Sequence, residues 1–490
     1  MYTRRNVWRL GSDWATEITW YARAVRALKA KPITDPTSWR FLAGIHGFHR
    51  TSWEQLGYLK PTDPLPAAAV RDRFWDQCQH SSWYFLPWHR GYLLAFEQIV
   101  RDQIVQLGGP KDWALPYWNY FGTTGTPDQA RMPIAFTQPQ WDGGPNPLYV
   151  PQRYGPGAVK IPLDRIDQGT ALGKAKFLAA ARGGDPGFGA GDQGDFRHGG
   201  GAFGQLESQP HNMIHVLIGG DRPGAVPPRG IMSVPSTAAL DPIFWLHHAN
   251  IDRLWETWNR SNPGHTDPLE SEWRHGPTDR RFVMPQPQNL PDWVFTPVML
   301  ESISDLGYVY ESLAPTVVED VVEDVGEEAG DGLVDTMDGT DVELVGGSDE
   351  PVQLRADGAS DARVRLDRVM RDKLRRHFDA RPDRVFLTLE NIRGNSSAAA
   401  FGVLVGAPGD AEFQLVTYVA PFGVEEASSD EGEHAGQGLT VTMEITEIVQ
   451  ELMAAGAGPD DLDVRFEPME TFVGDAELSV GQVTIHRQGT

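Results

Sequence analysis

The chain has 490 residues, too many for one ordinary core, so two globular units or one large unit with an appended domain are expected. Lys and Arg number 43 against 67 Asp and Glu, and the net charge of −24 leaves too little basic surface for phosphate, which excludes nucleic acid or an anionic membrane as the expected partner. The opening stretch, Met1 to Arg26, is charged and aromatic, without the apolar stretch of a secretory signal or a membrane span, so the chain reads as soluble and cytoplasmic.

In chain order, apolar residues at three- and four-residue spacing predict a helix over Trp14 to Leu28, a second over Gly91 to Leu107 after Pro87, and a third over His247 to Trp258. Gly- and Pro-rich stretches between them, notably Gly183 to Gly204, read as loops. All 16 tryptophans lie at or before Trp293, so the two ends of the chain must have different cores. Thr316 to Glu350 carries 13 acidic residues and no basic one, too little apolar surface to offset its ordering entropy, and is expected to be a flexible tether. Beyond it, Arg365 to Phe378 reads as a charged helix. Val385 to Glu390, Gly402 to Val405, Gln414 to Val419, Leu439 to Ile445, Val464 to Pro468 and Gln482 to His486 read as short strands of an antiparallel sandwich or barrel. The expected organisation is therefore a mainly α catalytic domain with long loops over 1–315, an acidic linker over 316–360 and a β-rich domain over 361–490.

Six of the fourteen histidines form a pattern. His211 and His215, four apart, share one helix face as a chelating pair does, and His247 or His248 could complete that set. His80 and His89 flank Ser-Ser-Trp-Tyr-Phe-Leu-Pro-Trp, with His46 upstream in Gly44-Ile-His-Gly47 and His49 as its competitor. Imidazole alone suits copper, zinc, iron and nickel, so ligand type does not choose among them.

The stretch His80-Ser-Ser-Trp-Tyr-Phe-Leu-Pro-Trp-His89-Arg-Gly-Tyr-Leu-Leu-Ala-Phe-Glu97 resembles the first copper-site signature of tyrosinases, catechol oxidases and molluscan hemocyanins. Asp241-Pro-Ile-Phe-Trp-Leu-His-His248-Ala-Asn-Ile-Asp252-Arg-Leu-Trp255 resembles the second. The resemblance implies a four-helix bundle holding two copper ions, one by His46, His80 and His89 and one by His211, His215 and His248, which activate dioxygen as co-substrate against small phenols. It implies that Asp252 holds the ring N–H of His248, that Cys78, the only cysteine, is joined to His80 as a thioether, and that Glu207 and Asn212 hold a water that assists removal of the phenolic proton. Tyr308-Val-Tyr310 resembles the motif that closes the catalytic domain in this family. Between Gly230 and Leu240 stand Met232, Val234 and Pro235 where plant catechol oxidases place a bulky Phe, so an open site is expected. The end of the chain resembles the C-terminal domain of plant polyphenol oxidases, which implies latency relieved by cleavage in the linker. The function implied is oxidation of o-diphenols to o-quinones and o-hydroxylation of monophenols. The alternatives are a catechol or o-aminophenol oxidase without monophenolase activity and a hemocyanin-like oxygen carrier; a copper-delivery partner is not identified.

Overall fold

The computed structural model describes residues 1–122, 127–191, 196, 201–287, 290–314, 342–368, 383–409, 412–429, 436–454, 461–470, 472 and 476–489. Five helices organise the first part: α1 (Thr16–Ala30), α2 (Trp39–His46), α3 (Phe85–Gln106), α4 (Met213–Gly219) and α5 (Pro242–Ser261). In α1 the residues Ile18, Tyr21, Ala22, Val25 and Leu28 are buried, the face that their spacing predicts. Ser38 starts α2 by accepting a hydrogen bond from the Phe41 amide at 3.1 Å. α3 begins six residues before the expected Gly91, because Pro87 fits a first helical turn and need not precede the helix. At Gly91 an added Cβ would lie 2.4 Å from the Phe295 ring, so only glycine allows that approach. α5 likewise starts early, at Asp241-Pro242, where the Asp241 carboxylate accepts from the Ile243 amide at 3.0 Å.

The amino terminus is sewn into this core. Strand β1 (Tyr2–Arg4) pairs in parallel with β3 (Tyr308–Tyr310) and carries Arg4 into the interior. Arg4 is fully buried and donates to Glu97 (2.8 Å), Asp252 (3.1 Å) and the Tyr310 hydroxyl (2.9 Å). Arg90 and Tyr308 also donate to Asp252, at 2.5 and 2.7 Å. Buried charges persist only when paired and hydrogen-bonded in this way.

The second part is one ten-stranded sheet. Its members are β2 (Gly201–Ala202), β4 (Val342–Ser348), β5 (Val352–Gln353), β6 (Ser360–Leu366), β7 (Arg384–Gly394), β8 (Phe401–Gly406), β9 (Gln414–Val419), β10 (Leu439–Glu444), β11 (Asp461–Pro468) and β12 (Leu478–Gln488). The order is β9-β8-β11-β6-β4-β12-β7-β10-β2, with β5 also on β12. All pairings are antiparallel except β10 with β2, which is parallel and joins a segment of the first part to this sheet. The ladder among the described residues is open, with β9 and β2 at its ends, rather than a closed barrel.

Two sequence expectations are corrected here. Part of the expected linker is sheet: β4, β5 and the start of β6 fall within 316–360, where Val342, Val345 and Leu354 are buried despite the acidic composition of the stretch. Arg365 and Leu366, expected to open a helix, end β6, and the rest of that stretch beyond 368 lies outside the described residues. The strand expected over Leu439 to Ile445 ends at Glu444, and a helix follows over Thr446–Ala454. Among the described residues no helix is long and apolar enough to cross a membrane.

Candidate metal centre

α2 ends on His46, α3 carries His89 and α4 carries His215. α5 carries His247 and His248, the irregular turn Glu207–Asn212 carries His211, and the segment before α3 carries His80. These seven imidazoles are at most 3% exposed. The ring centroids of His46, His80 and His89 lie 5.2 to 5.6 Å apart. Those of His211, His215 and His248 lie 4.6 to 5.5 Å apart. The two trios share a wall, with His89 stacked on His248 at 4.6 Å and 13°.

Hydrogen bonds fix which nitrogen each ring offers. A carbonyl oxygen can only accept, so the Nδ1–H groups of His46, His89, His211 and His215 donate to Pro235 O, Phe85 O, Asn212 Oδ1 and Met232 O, each at 2.8 Å. Their Nε2 atoms are therefore the unprotonated ring nitrogens, the tautomer that a metal requires. His215 Nε2 and His248 Nε2 stand 3.3 Å apart in a buried site. At that distance one ring can donate an N–H···N hydrogen bond to the other, and with both Nε2 atoms unprotonated the pair can hold one cation beside it. Burial holds His89, His211, His215, His247 and His248 well below the usual imidazole range, so neutral nitrogens are available near neutral pH. The donor set thus fits two nitrogen-liganded metal ions.

Donor atoms within 4.8 Å of one another also group His247 with His211, His215 and His248, and His46 and His89 with His248. His247 stacks on His211 at 5.4 Å and 20°, closer to the centre than its sequence position suggested. His49 is exposed and caps the helix Arg50–Gln55, apart from the cluster.

Around the ligands, one sequence expectation meets different geometry. Asp252 gives its oxygens to Arg4, Arg90, Tyr308 and Tyr310, while His248 Nδ1 has no hydrogen-bond partner, so Asp252 does not hold that ring. The Asn212 oxygen accepts from His211 Nδ1–H at 2.8 Å. Glu207, 1% exposed, accepts the Ser81 amide at 2.8 Å, and burial raises its carboxyl well above the usual range. Cys78 Sγ lies 3.4 Å from His80 Nδ1, and burial raises its thiol.

The site is not open. Phe422, 1% exposed and contributed by the second part of the chain, stacks on His215 at 4.3 Å and 24°. It also meets His80 and His211 edge-on at 5.4 and 5.8 Å. The sequence offers no signal for this residue beyond an isolated aromatic in Ala420-Pro-Phe-Gly423.

The profile for the common central domain of tyrosinase matches residues 36–261, and that for a domain of unknown function matches residues 341–488. Tyrosinase HcTyr1 of Hahella sp. (strain CCB-MM4) is 33% identical over the full length of both chains. This chain belongs to the type-3 copper family of tyrosinases and polyphenol oxidases. The tyrosinase-family fold extends across the whole chain: a solved latent aurone synthase (polyphenol oxidase) covers 100% of it and 90% of its own chain, at TM-score 0.57 and 18% identity. A functional unit of octopus hemocyanin covers 99% of both at TM-score 0.50 and 18% identity.

Proposed function

We propose that this chain is a dicopper oxidase that converts o-diphenols to o-quinones, o-hydroxylates monophenols, and is latent while its C-terminal domain is docked. In this reading α2, α3, α4 and α5 form the bundle around the metals, His46, His80 and His89 hold one copper, and His211, His215 and His248 hold the other. Copper, when bound, supplies the activation of dioxygen. The observation that carries the proposal is Phe422: an aromatic ring already lies flat on His215 inside the imidazole cluster, where a phenol ring would have to lie to react.

The chain's own residues then account for binding and proton handling. Buried Phe85 and Phe244, at 4.7 Å from His89 and 4.1 Å from His248, wall the site against water. A phenol must lose a proton of pKa about 10 before hydroxylation, and we assign that proton to Glu207, a buried carboxyl held by the amide of Ser81, the residue after His80. Asn212 fixes His211 in one orientation and tautomer. We read Cys78 and His80 as joined through sulfur and a ring carbon, a bond whose formation releases two protons and two electrons to dioxygen.

A second reading, diphenol oxidation alone, is favoured by the Ser81 amide, which donates to both oxygens of Glu207 at 2.8 and 3.1 Å. Turnover of tyramine against dopamine separates the two, measured after the C-terminal domain has been displaced by linker proteolysis followed by detergent. Glu207→Gln should abolish tyramine turnover and leave most dopamine turnover; equal loss on both would remove Glu207 as the phenol's base. Dioxygen binding without turnover of either substrate would mean a carrier.

A further inference from the structure

The two domains exchange aromatic side chains. Phe422 leaves the C-terminal sheet and is buried with the catalytic core. In the opposite direction Phe203, from the catalytic part, is 3% exposed and belongs to the hydrophobic core of the C-terminal sheet. Its backbone is taken up as well: Gly201 and Ala202 pair in parallel with Leu439 and Thr440 at the sheet's edge. The Gly201 amide donates to Gly438 O at 3.4 Å and the Phe203 amide to Thr440 O at 3.2 Å. Ion pairs flank this contact, Arg384 with Asp185 at 2.5 Å and Arg229 with Glu425 at 3.0 Å, and Gln209 donates to Tyr418 O at 2.9 Å.

None of these contacts runs through residues 316–341. A covalent connection only raises the effective concentration of one piece near the other, whereas contacts set the affinity. Separation would also expose a sheet edge and two phenylalanines to water. We propose that a chain cut between residues 315 and 342 remains a tight two-piece complex, latched by insertion of the Gly201–Phe203 strand and the Phe203 side chain into the C-terminal sheet. The C-terminal piece is then a non-covalent ligand of the catalytic piece, and release of the latch, not the cut, uncovers the histidines. This rests on the reading that docking blocks the site.

The test places a site-specific protease sequence within 316–341, cuts the purified full-length chain, and follows the pieces by native mass spectrometry and gel filtration on dilution. The cut wild-type chain should stay one-to-one at micromolar concentration, and Phe203→Ala should weaken association by about a hundred-fold or more, as expected for truncating a buried phenylalanine. Phe203→Leu should fall between them. Hydrogen exchange at the Phe203 amide gives a reading without substitution: in the cut wild-type chain it should exchange as slowly as in the uncut chain. Separation of the cut wild-type pieces as readily as those of Phe203→Ala, or an unprotected Phe203 amide in pieces that stay together, overturns the proposal. Association is read apart from turnover, so a tight cut complex that oxidises catechol freely would sink the blocking reading and leave the latch standing.

Discussion

Replacing Phe422 with alanine removes the ring that sits on His215 while leaving every imidazole in place. Burial of a phenylalanine side chain contributes about 1.5–3 kcal/mol, and an aromatic contact at this distance adds about 0.5–1.5 kcal/mol. Measured truncations of buried phenylalanine, cavity included, cost about 3–5 kcal/mol. Taking about 3 kcal/mol as the share lost from docking, the ratio of closed to open chain falls by roughly a hundred-fold. Even where the domain stays docked, the vacated volume is that of an aromatic ring and faces the same imidazoles. Uncut Phe422→Ala should therefore oxidise catechol at least about ten times faster than the uncut wild-type chain at equal copper content, without detergent or protease. Thermal unfolding of the same preparation checks that the variant is folded. An uncut variant that carries its copper and stays as latent as wild type would refute the assignment of Phe422 as the closing residue.

Three further outcomes are expected. Asp252→Asn leaves Arg4 and Arg90 buried with one anion fewer and should cost about 3–5 kcal/mol, read by denaturant unfolding; a loss below about 1 kcal/mol would mean that Glu97 and Glu256 carry the network. Glu426, near the docked face, is pushed up to about 7 by burial and then by Glu425, against the pull of Arg229 and with Asp76 also repelling it. Its folded value lies above the unfolded one of 4.5, so the stability it contributes is complete at lower pH and is lost as pH rises through about 7. Glu426→Gln should flatten that slope in melting temperature between pH 5 and about 8, and an unchanged slope would assign it elsewhere. Thiol titration of the unfolded, copper-matured chain should find no reactive Cys78; one thiol per chain would rule out the thioether.

Two of the C-terminal strands were legible through alternation: Leu439–Glu444 and Asp461–Pro468 alternate buried with less buried residues nearly without a break. Ser360–Leu366 alternates as cleanly but lay hidden between the acidic run and a charged stretch read as helix, and in Val342–Ser348 the acidic composition masks the inward Val342 and Val345. The histidines were legible because two of the clusters are local in sequence. What remained invisible is long-range: Arg4 reaches Asp252 across 248 positions, and Phe422 reaches His215 from another domain. Asp252 stands one turn from His248, which suggested a contact; the stronger demand of two buried guanidinium groups takes its oxygens instead.

Copper analysis of the full-length chain, with the His80→Ala and His215→Ala variants beside it, tests the two imidazole trios most directly. Two copper ions per chain, falling to one in each variant with the other ion retained, is the result that the geometry predicts. Saturation of the wild-type chain at a single ion would contradict it.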